Sequence, residues 1–450
     1  MTRLIALVVF LTLTITGCTN QPGGSNTLNN QPIATSSPPP TVNPEGAIQP
    51  VTLPVLDAIL ADEAFTAELR TNAALSEDEL NRLRTVAREE TAKLREDYSE
   101  DYAGTTSSAL DLSSERVTEI VGREKAARVF ALVRDRWLTG GEADQAATNT
   151  GSSTGQTATP PNAIPKDTRV VVNSPAYRMD VFENGELIKS YKIGIGYPEF
   201  PLPTGLRQAR TIIFNPSWTP PDEPWVESSS SNVRPGRKVQ PGSKLNPLGM
   251  LKIPIGSPSL IHGGKSPAKL GTFASHGCVG LTDPLAQDFA KVLARVSGTE
   301  LTDAEIAAFK RARDEEKPVN LGQPIPVELR YETLVVEDGK LHIYRDVYDR
   351  DTNTEDNLRA VLQAYGVALE DFTEEERTRA MEALRQMSRD AKGRDITSPS
   401  PSPEESRNRT GRVTRTVKGQ KEIVIDVAVL KGKGYPTFGA AGDRTTRART

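Results

Sequence analysis

Tyr177-Arg-Met-Asp-Val-Phe-Glu-Asn-Gly-Glu-Leu-Ile-Lys-Ser-Tyr-Lys-Ile-Gly-Ile195 alternates apolar and polar residues on both sides of Asn184-Gly185. A period of two belongs to an extended strand with one buried face, and Asn-Gly suits the positive φ angles of a two-residue hairpin turn. The stretch predicts a β-hairpin. Upstream, Val170-Val-Val-Asn173 is a short apolar run; downstream, strands are expected at Gln208 to Phe214 and just before His262. Proline and glycine crowd the intervals. This favours a mainly β domain, a twisted β-sandwich or barrel-like body, over a doubly wound α/β fold.

Helical patterns flank this domain. Asp283-Pro284 opens a helix that buries Leu285, Phe289, Val292, Leu293 and Val296, and Thr302-Asp-Ala-Glu305 caps another. Ile325 to Val336 and Leu341 to Tyr344, joined at Asp338-Gly339, are expected to form a second hairpin that closes the domain; two acidic helices follow from about Thr354 and Thr373. Before the domain, Ser76-Glu-Asp-Glu79 is a capping box for a helix with Leu80, Leu83, Ala87 and Leu94 on one face, and a second helix runs near Ser114 to Trp137. The Glu and Arg runs there are a solvated face. The expected organisation is a signal peptide at 1–17, a disordered tether at 18–50, a small helical domain at 51–138, a linker at 139–163, the main domain at 164–351, C-terminal helices at 352–395 and a largely disordered tail at 396–450. That tail carries one late strand within Glu422 to Leu430. The chain is multidomain, α and β overall.

The amino terminus reads as an address. Arg3 and the apolar run Leu4 to Leu13 form a signal peptide too short to span a bilayer, and Ile15-Thr16-Gly17-Cys18 resembles the lipobox of bacterial lipoproteins. That resemblance implies cleavage before Cys18 and its acylation, which holds a protein at a membrane surface. Thr19 rather than Asp follows, which is similar to lipoproteins sent to the outer membrane in double-membraned bacteria. The expected location is extracytoplasmic, in the periplasm, and membrane-anchored.

Of 450 residues, 36% are hydrophobic and 5% aromatic, and the formal charge is -4, so no concentrated basic body exists to bind nucleic acid. The only cysteines are Cys18 and Cys278. With Cys18 committed to lipid, Cys278 is a free thiol in an exported chain, where retention favours a chemical use. Two of the three histidines, His262 and His276, lie with Cys278 in Ile261-His-Gly-Gly-Lys-Ser-Pro-Ala-Lys-Leu-Gly-Thr-Phe-Ala-Ser-His-Gly-Cys-Val-Gly-Leu281, while His342 is a structural or surface residue. A thiol attacks as thiolate, and a nearby imidazole is the usual activator. The glycines of the segment permit turns whose N–H groups converge on one point, as an oxyanion requires. A zinc site would need a second thiol or suitably spaced carboxylates, which are missing, so neither metal nor cofactor is expected.

At these residues a family resemblance emerges. His262-Gly followed by Ser275-His-Gly-Cys278 resembles the signature of the L,D-transpeptidase (YkuD) family. The likeness runs from about Lys166 to Asp351 and takes in Pro203-Thr204-Gly205, Asn215-Pro-Ser-Trp218, Pro220-Pro221 and Asn246-Pro-Leu-Gly249. It implies Cys278 as nucleophile, His262 as general base oriented by the Gly263 carbonyl, His276 as a site-shaping histidine, and Ser275, Gly277 and Cys278 as the frame of the oxyanion site. It implies a cysteine acyltransferase, a target of carbapenems, that forms an acyl-thioester with a tetrapeptide stem and passes it to an amine acceptor. Such an enzyme cross-links peptidoglycan in cell-wall biogenesis and upholds cell shape. The expected partners are peptidoglycan stem peptides and the membrane, and the expected state is a monomer. One departure stands out: position 280 is Gly, where relatives often carry Arg or Asn. This leaves open a catalytically impaired peptidoglycan-binding lipoprotein, alongside a transpeptidase that attaches a protein to the wall. Trp218 and Trp225 flank a Pro-rich stretch that in the family lies over the cleft.

Overall fold

The computed structural model describes residues 50–93, 105–140, 160–220, 233–234, 236–388, 417 and 419–437, all within one compact unit, Ile48–Thr450. The signal peptide, Cys18, nearly all of the tether, the 141–159 part of the linker, Leu94, Trp225 and most of the tail lie outside the described residues. Among the described residues, no helix is long and apolar enough to cross a membrane.

Four helices open the chain: α1 (Leu53–Leu60), α2 (Glu63–Asn72), α3 (Glu77–Lys93) and α4 (Thr106–Thr139). The Ser76 hydroxyl accepts from Glu79 N at 3.2 Å and the Glu79 carboxylate accepts from Ser76 N at 2.8 Å, so the box anticipated in sequence starts α3. Leu80 and Leu83 point inward with Leu56, Phe65, Leu69, Val117 and Phe130. Burial of each such side chain contributes about 1.5–3 kcal/mol. α4 begins eight residues earlier than its periodicity indicated, because Thr105 and Ser108 form their own capping box, and it breaks at Gly122 (φ 76). Its C-terminal end is seated on the β domain. Arg207, 1% exposed, donates to the Gly256 carbonyl at 2.8 Å and to the Trp137 carbonyl, and Ser257 N donates to the Gly140 carbonyl at 3.0 Å.

The β domain is built from β1 (Arg169–Asn173), β2 (Arg178–Glu183), β3 (Glu186–Lys192), β4 (Ile195–Gly196), β5 (Gly205–Phe214), β6 (Leu251–Pro254), β7 (Leu260–His262), β8 (Phe273–Ser275), β9 (Val279–Gly280), α5 (Asp283–Val296), α6 (Asp303–Arg311) and β10 (Lys317–Arg330). Eight strands form one mixed sheet in the order β3-β2-β1-β10-β5-β6-β7-β9, and β4 pairs with β8 separately. The β2–β3 hairpin turns at Asn184 (φ 51) and Gly185 (φ 84), as its sequence dictates. The mainly β body with flanking helices is thus the fold. α5 packs Phe289, Ala290 and Leu293 onto the same core as Val170, Ile212, Ile261 and Val279. The N-cap of α5 is Thr282, with Asp283 and Pro284 as its first two residues, so the helix starts one residue earlier than the sequence indicated.

The second hairpin departs from expectation. β10 ends at Arg330, and β11 (Leu334–Glu337) and β12 (Lys340–Tyr344) pair at Asp338-Gly339 in a separate three-stranded sheet with β13 (Glu422–Asp426). Side chains from elsewhere cause the break: Asn173 takes both the N–H and the carbonyl of Glu332, at 2.9 Å each. The hairpin therefore does not close the β domain. Instead it joins α7 (Glu355–Ala364) and α8 (Glu374–Met387) around Val336, Ile343, Leu358, Leu384 and Ile425.

Candidate active site

β7 and β9 are parallel neighbours with Ile261 opposite Val279 and His262 opposite Gly280. Side chains alternate across a sheet, and Ile261 and Val279 are fully buried in the core. His262 and Gly280 therefore share the other face, and Cys278, just before β9, lies on that face one pair along. Sequence segments 262 and 278 thus converge because two short strands run side by side.

The His262 ring is fixed by its surroundings. Nδ1 donates to the Gly263 carbonyl, 2.7 Å away, which leaves the other nitrogen to accept a proton. The ring is 3% exposed, and burial is the main reason its pKa drops to about 3; Lys265 pushes the same way, while the Gly263 and Leu248 carbonyls oppose it. At neutral pH His262 is an uncharged base. Cys278 is a half-buried free thiol. Burial raises its pKa, whereas a hydrogen bond from the Leu260 backbone and the Lys265 charge lower it. Thiol and imidazole are thus both uncharged at rest.

Ser275 anchors the turn of Cys278. Its hydroxyl accepts from Cys278 N at 3.0 Å and donates to the Cys278 carbonyl at 2.5 Å. The resemblance implied Cys278 as part of the oxyanion frame, but its N–H is engaged by Ser275. Gly277, at φ 87, supplies a backbone conformation that side chains disfavour. His276 packs edge-on against Phe200 and Tyr197, with ring centroids 4.7 and 5.2 Å away.

Asp283 was legible only as a helix start, yet its Oδ1 accepts from both Met250 N and Gly264 N at 2.9 Å. This clamps the turn whose Gly263 carbonyl orients His262. His342 lies elsewhere, on β12, with Nδ1 2.6 Å from Glu422. No acid was evident beside it in sequence because the partner is 80 residues away. Trp218 exchanges backbone hydrogen bonds with Val239.

Residues 167–321 match the family model described as YkuD, the L,D-transpeptidase catalytic domain. The chain thus contains a domain of this class, and the match stops before β11. Solved structures that resemble the chain include an L,D-transpeptidase from Mycobacterium smegmatis, at 15% identity over 36% of this chain and 58% of that one, with a TM-score of 0.22. A mutant of the Enterococcus faecium L,D-transpeptidase gives 16% identity, 36% and 50% coverage and a TM-score of 0.23. The catalytic domain of the E. faecium L,D-transpeptidase, solved by NMR, gives 15% identity, 37% and 100% coverage and a TM-score of 0.24. The match spans 58% and 50% of the first two proteins' lengths. No curated protein matches the chain.

Proposed function

We propose that the chain is a peptidoglycan L,D-transpeptidase that works outside the cytoplasm, tethered through a lipid on Cys18. The observation that carries this reading is the shared face of β7 and β9, which holds an oriented neutral imidazole, His262, diagonal to the free thiol of Cys278. His262 takes the thiol proton as sulfur bonds to a carbonyl carbon of the tetrapeptide stem. The carbon–nitrogen bond then breaks, and the imidazolium, made strongly acidic by burial, gives its proton to the departing amine. In the second half an acceptor amine attacks the thioester, loses a proton to His262, and the thiol re-forms as the carbon–sulfur bond breaks. Water in place of that amine would give hydrolysis.

Carbapenems test the reading, because they acylate such a nucleophile. Intact-mass measurement is expected to show one adduct that is lost in Cys278→Ala. A folded protein that stays unmodified would favour a wall-binding anchor whose chemistry is lost. Whether the acceptor is a second stem or a protein is read from wall digests after deletion.

A further inference from the structure

Gly280 stands directly opposite His262 on the face that carries Cys278, so this corner has no side chain of its own on β9. Another side chain occupies the space. A Cβ built on Gly280 would lie 2.8 Å from Lys265 Cγ, 3.1 Å from Cε and 3.4 Å from Cδ, so the lysine stem lies lengthwise across the glycine. The arrangement is held at both ends. Lys265 N donates to the Leu281 carbonyl at 3.0 Å, and Gly280 exchanges two hydrogen bonds of 2.9 Å with Gly194. Neither backbone is free to retreat from the other.

We propose that Lys265 is a positioning and charge-setting residue of the thiol site, its stem laid over Gly280 and its ammonium favouring the thiolate of Cys278. This rests on Cys278 being the nucleophile. The titratable and charged groups at this corner are His262 on β7, Lys252 opposite it on β6, whose Nζ donates to the Ser217 carbonyl at 3.2 Å, Lys265 in the loop after β7, and His276 in the turn of Cys278 itself. Asp283, at the start of α5, faces the Gly263-Gly264 loop and is occupied by two N–H groups. Glu199 lies in the loop that carries Phe200. Lys252 points toward Ser217 and Glu316, whereas Lys265 is the cation whose stem crosses Gly280, and it acts on both members of the pair. A cation beside the pair favours thiolate with neutral imidazole, and it makes any imidazolium a stronger acid toward the leaving amine. The bare glycine at 280 is therefore the seat of a cation supplied from another strand's loop, which counts against the impaired-enzyme reading.

The test is the pH dependence of iodoacetamide alkylation of Cys278, measured on the full chain. In Lys265→Met, which keeps an unbranched stem, the midpoint of thiolate formation is expected to rise by about one pH unit, so alkylation at neutral pH slows roughly tenfold. Lys265→Arg is expected to restore most of the shift. An unchanged midpoint in the Met variant overturns the proposal, as does an equal shift in the Arg variant, which would mark packing alone. Thermal melts of the three proteins show that each is folded. Carbapenem acylation is read in parallel: a wild-type protein that alkylates with the expected Lys265 dependence but never acylates would sink the transpeptidase reading and leave the role of Lys265 standing.

Discussion

The Thr106 hydroxyl donates to the Pro198 carbonyl at 2.8 Å, which joins the start of α4 to the loop that cradles His276. Thr52, the N-cap of α1, repeats the device with the Glu199 carbonyl at 2.8 Å. Both threonines are buried. Two helices thus hold consecutive carbonyls just ahead of Phe200. On the far side, the Tyr348 hydroxyl donates to the Gly196 carbonyl at 2.9 Å. The loop from Gly196 to Phe200 is therefore held from two directions, and the helical segment acts as a buttress for the site.

Replacing both threonines, Thr52→Val and Thr106→Val, is expected to cost about 1 kcal/mol per hydrogen bond. Carbapenem acylation should slow severalfold while the β domain stays folded. A double variant with the wild-type acylation rate would show that the helices are passengers.

Because the folded chain holds His262 near a pKa of about 3 while an unfolded histidine titrates near 6.5, the unfolded state takes up a proton that the folded state refuses. This group's contribution is complete above about pH 6.5 and is lost as the pH falls toward 3, at up to about 1.4 kcal/mol per pH unit. Denaturant melts across that window should show a shallower pH slope in His262→Gln. Equal slopes would show that the ring is not held neutral. The same variant should acylate about 100- to 10,000-fold more slowly.

Asp283→Ala removes the acceptor of two backbone N–H groups and loosens the Gly263-Gly264 turn. Acylation is expected to fall up to about 100-fold, as small misplacements of a catalytic group do. Asp283→Asn, which keeps an acceptor oxygen, should fall less. Equal loss in both would point to charge instead of geometry.

Gly277→Ala separates strain from crowding, because a Cβ there would have only the Phe200 carbonyl near it, at 3.9 Å, while φ is 87°. The expected loss is about 1–2 kcal/mol of stability from backbone strain. A chemical melt that shows no loss would mean the turn relaxes without effort.

Where side chains and their partners are close in sequence, the site and fold were readable from sequence. Asn184-Gly185 sets its hairpin locally, and Ser275, Gly277 and Cys278 share one turn, so their grouping follows from spacing. Pairing that crosses the fold was hidden. The alternation of Ile325 to Val336 gave no sign of the break after Arg330, since Asn173, far upstream, imposes it. The early part of β10 was obscured by Pro318 and Gly322, and its register with β5 shifts between Asn320 and Ile325. Asp283 at a helix start has an ordinary explanation in the helix dipole, which concealed its second task. The missing side chain at 280 was visible as an omission, but the Lys265 stem that fills it comes from a different strand's loop.

β13 borders β12 along its whole length, from Lys340 opposite Asp426 to Tyr344 opposite Glu422. The ribosome reaches the central strand of this sheet some eighty residues before the outer one. Until that last stretch is made, or if a protease removes it, β12 presents a bare row of amides and carbonyls to whatever strand drifts near. Truncating the chain after α8 would therefore turn a finished sheet into an adhesive rim, and clumping of such a shortened protein would say nothing about its chemistry.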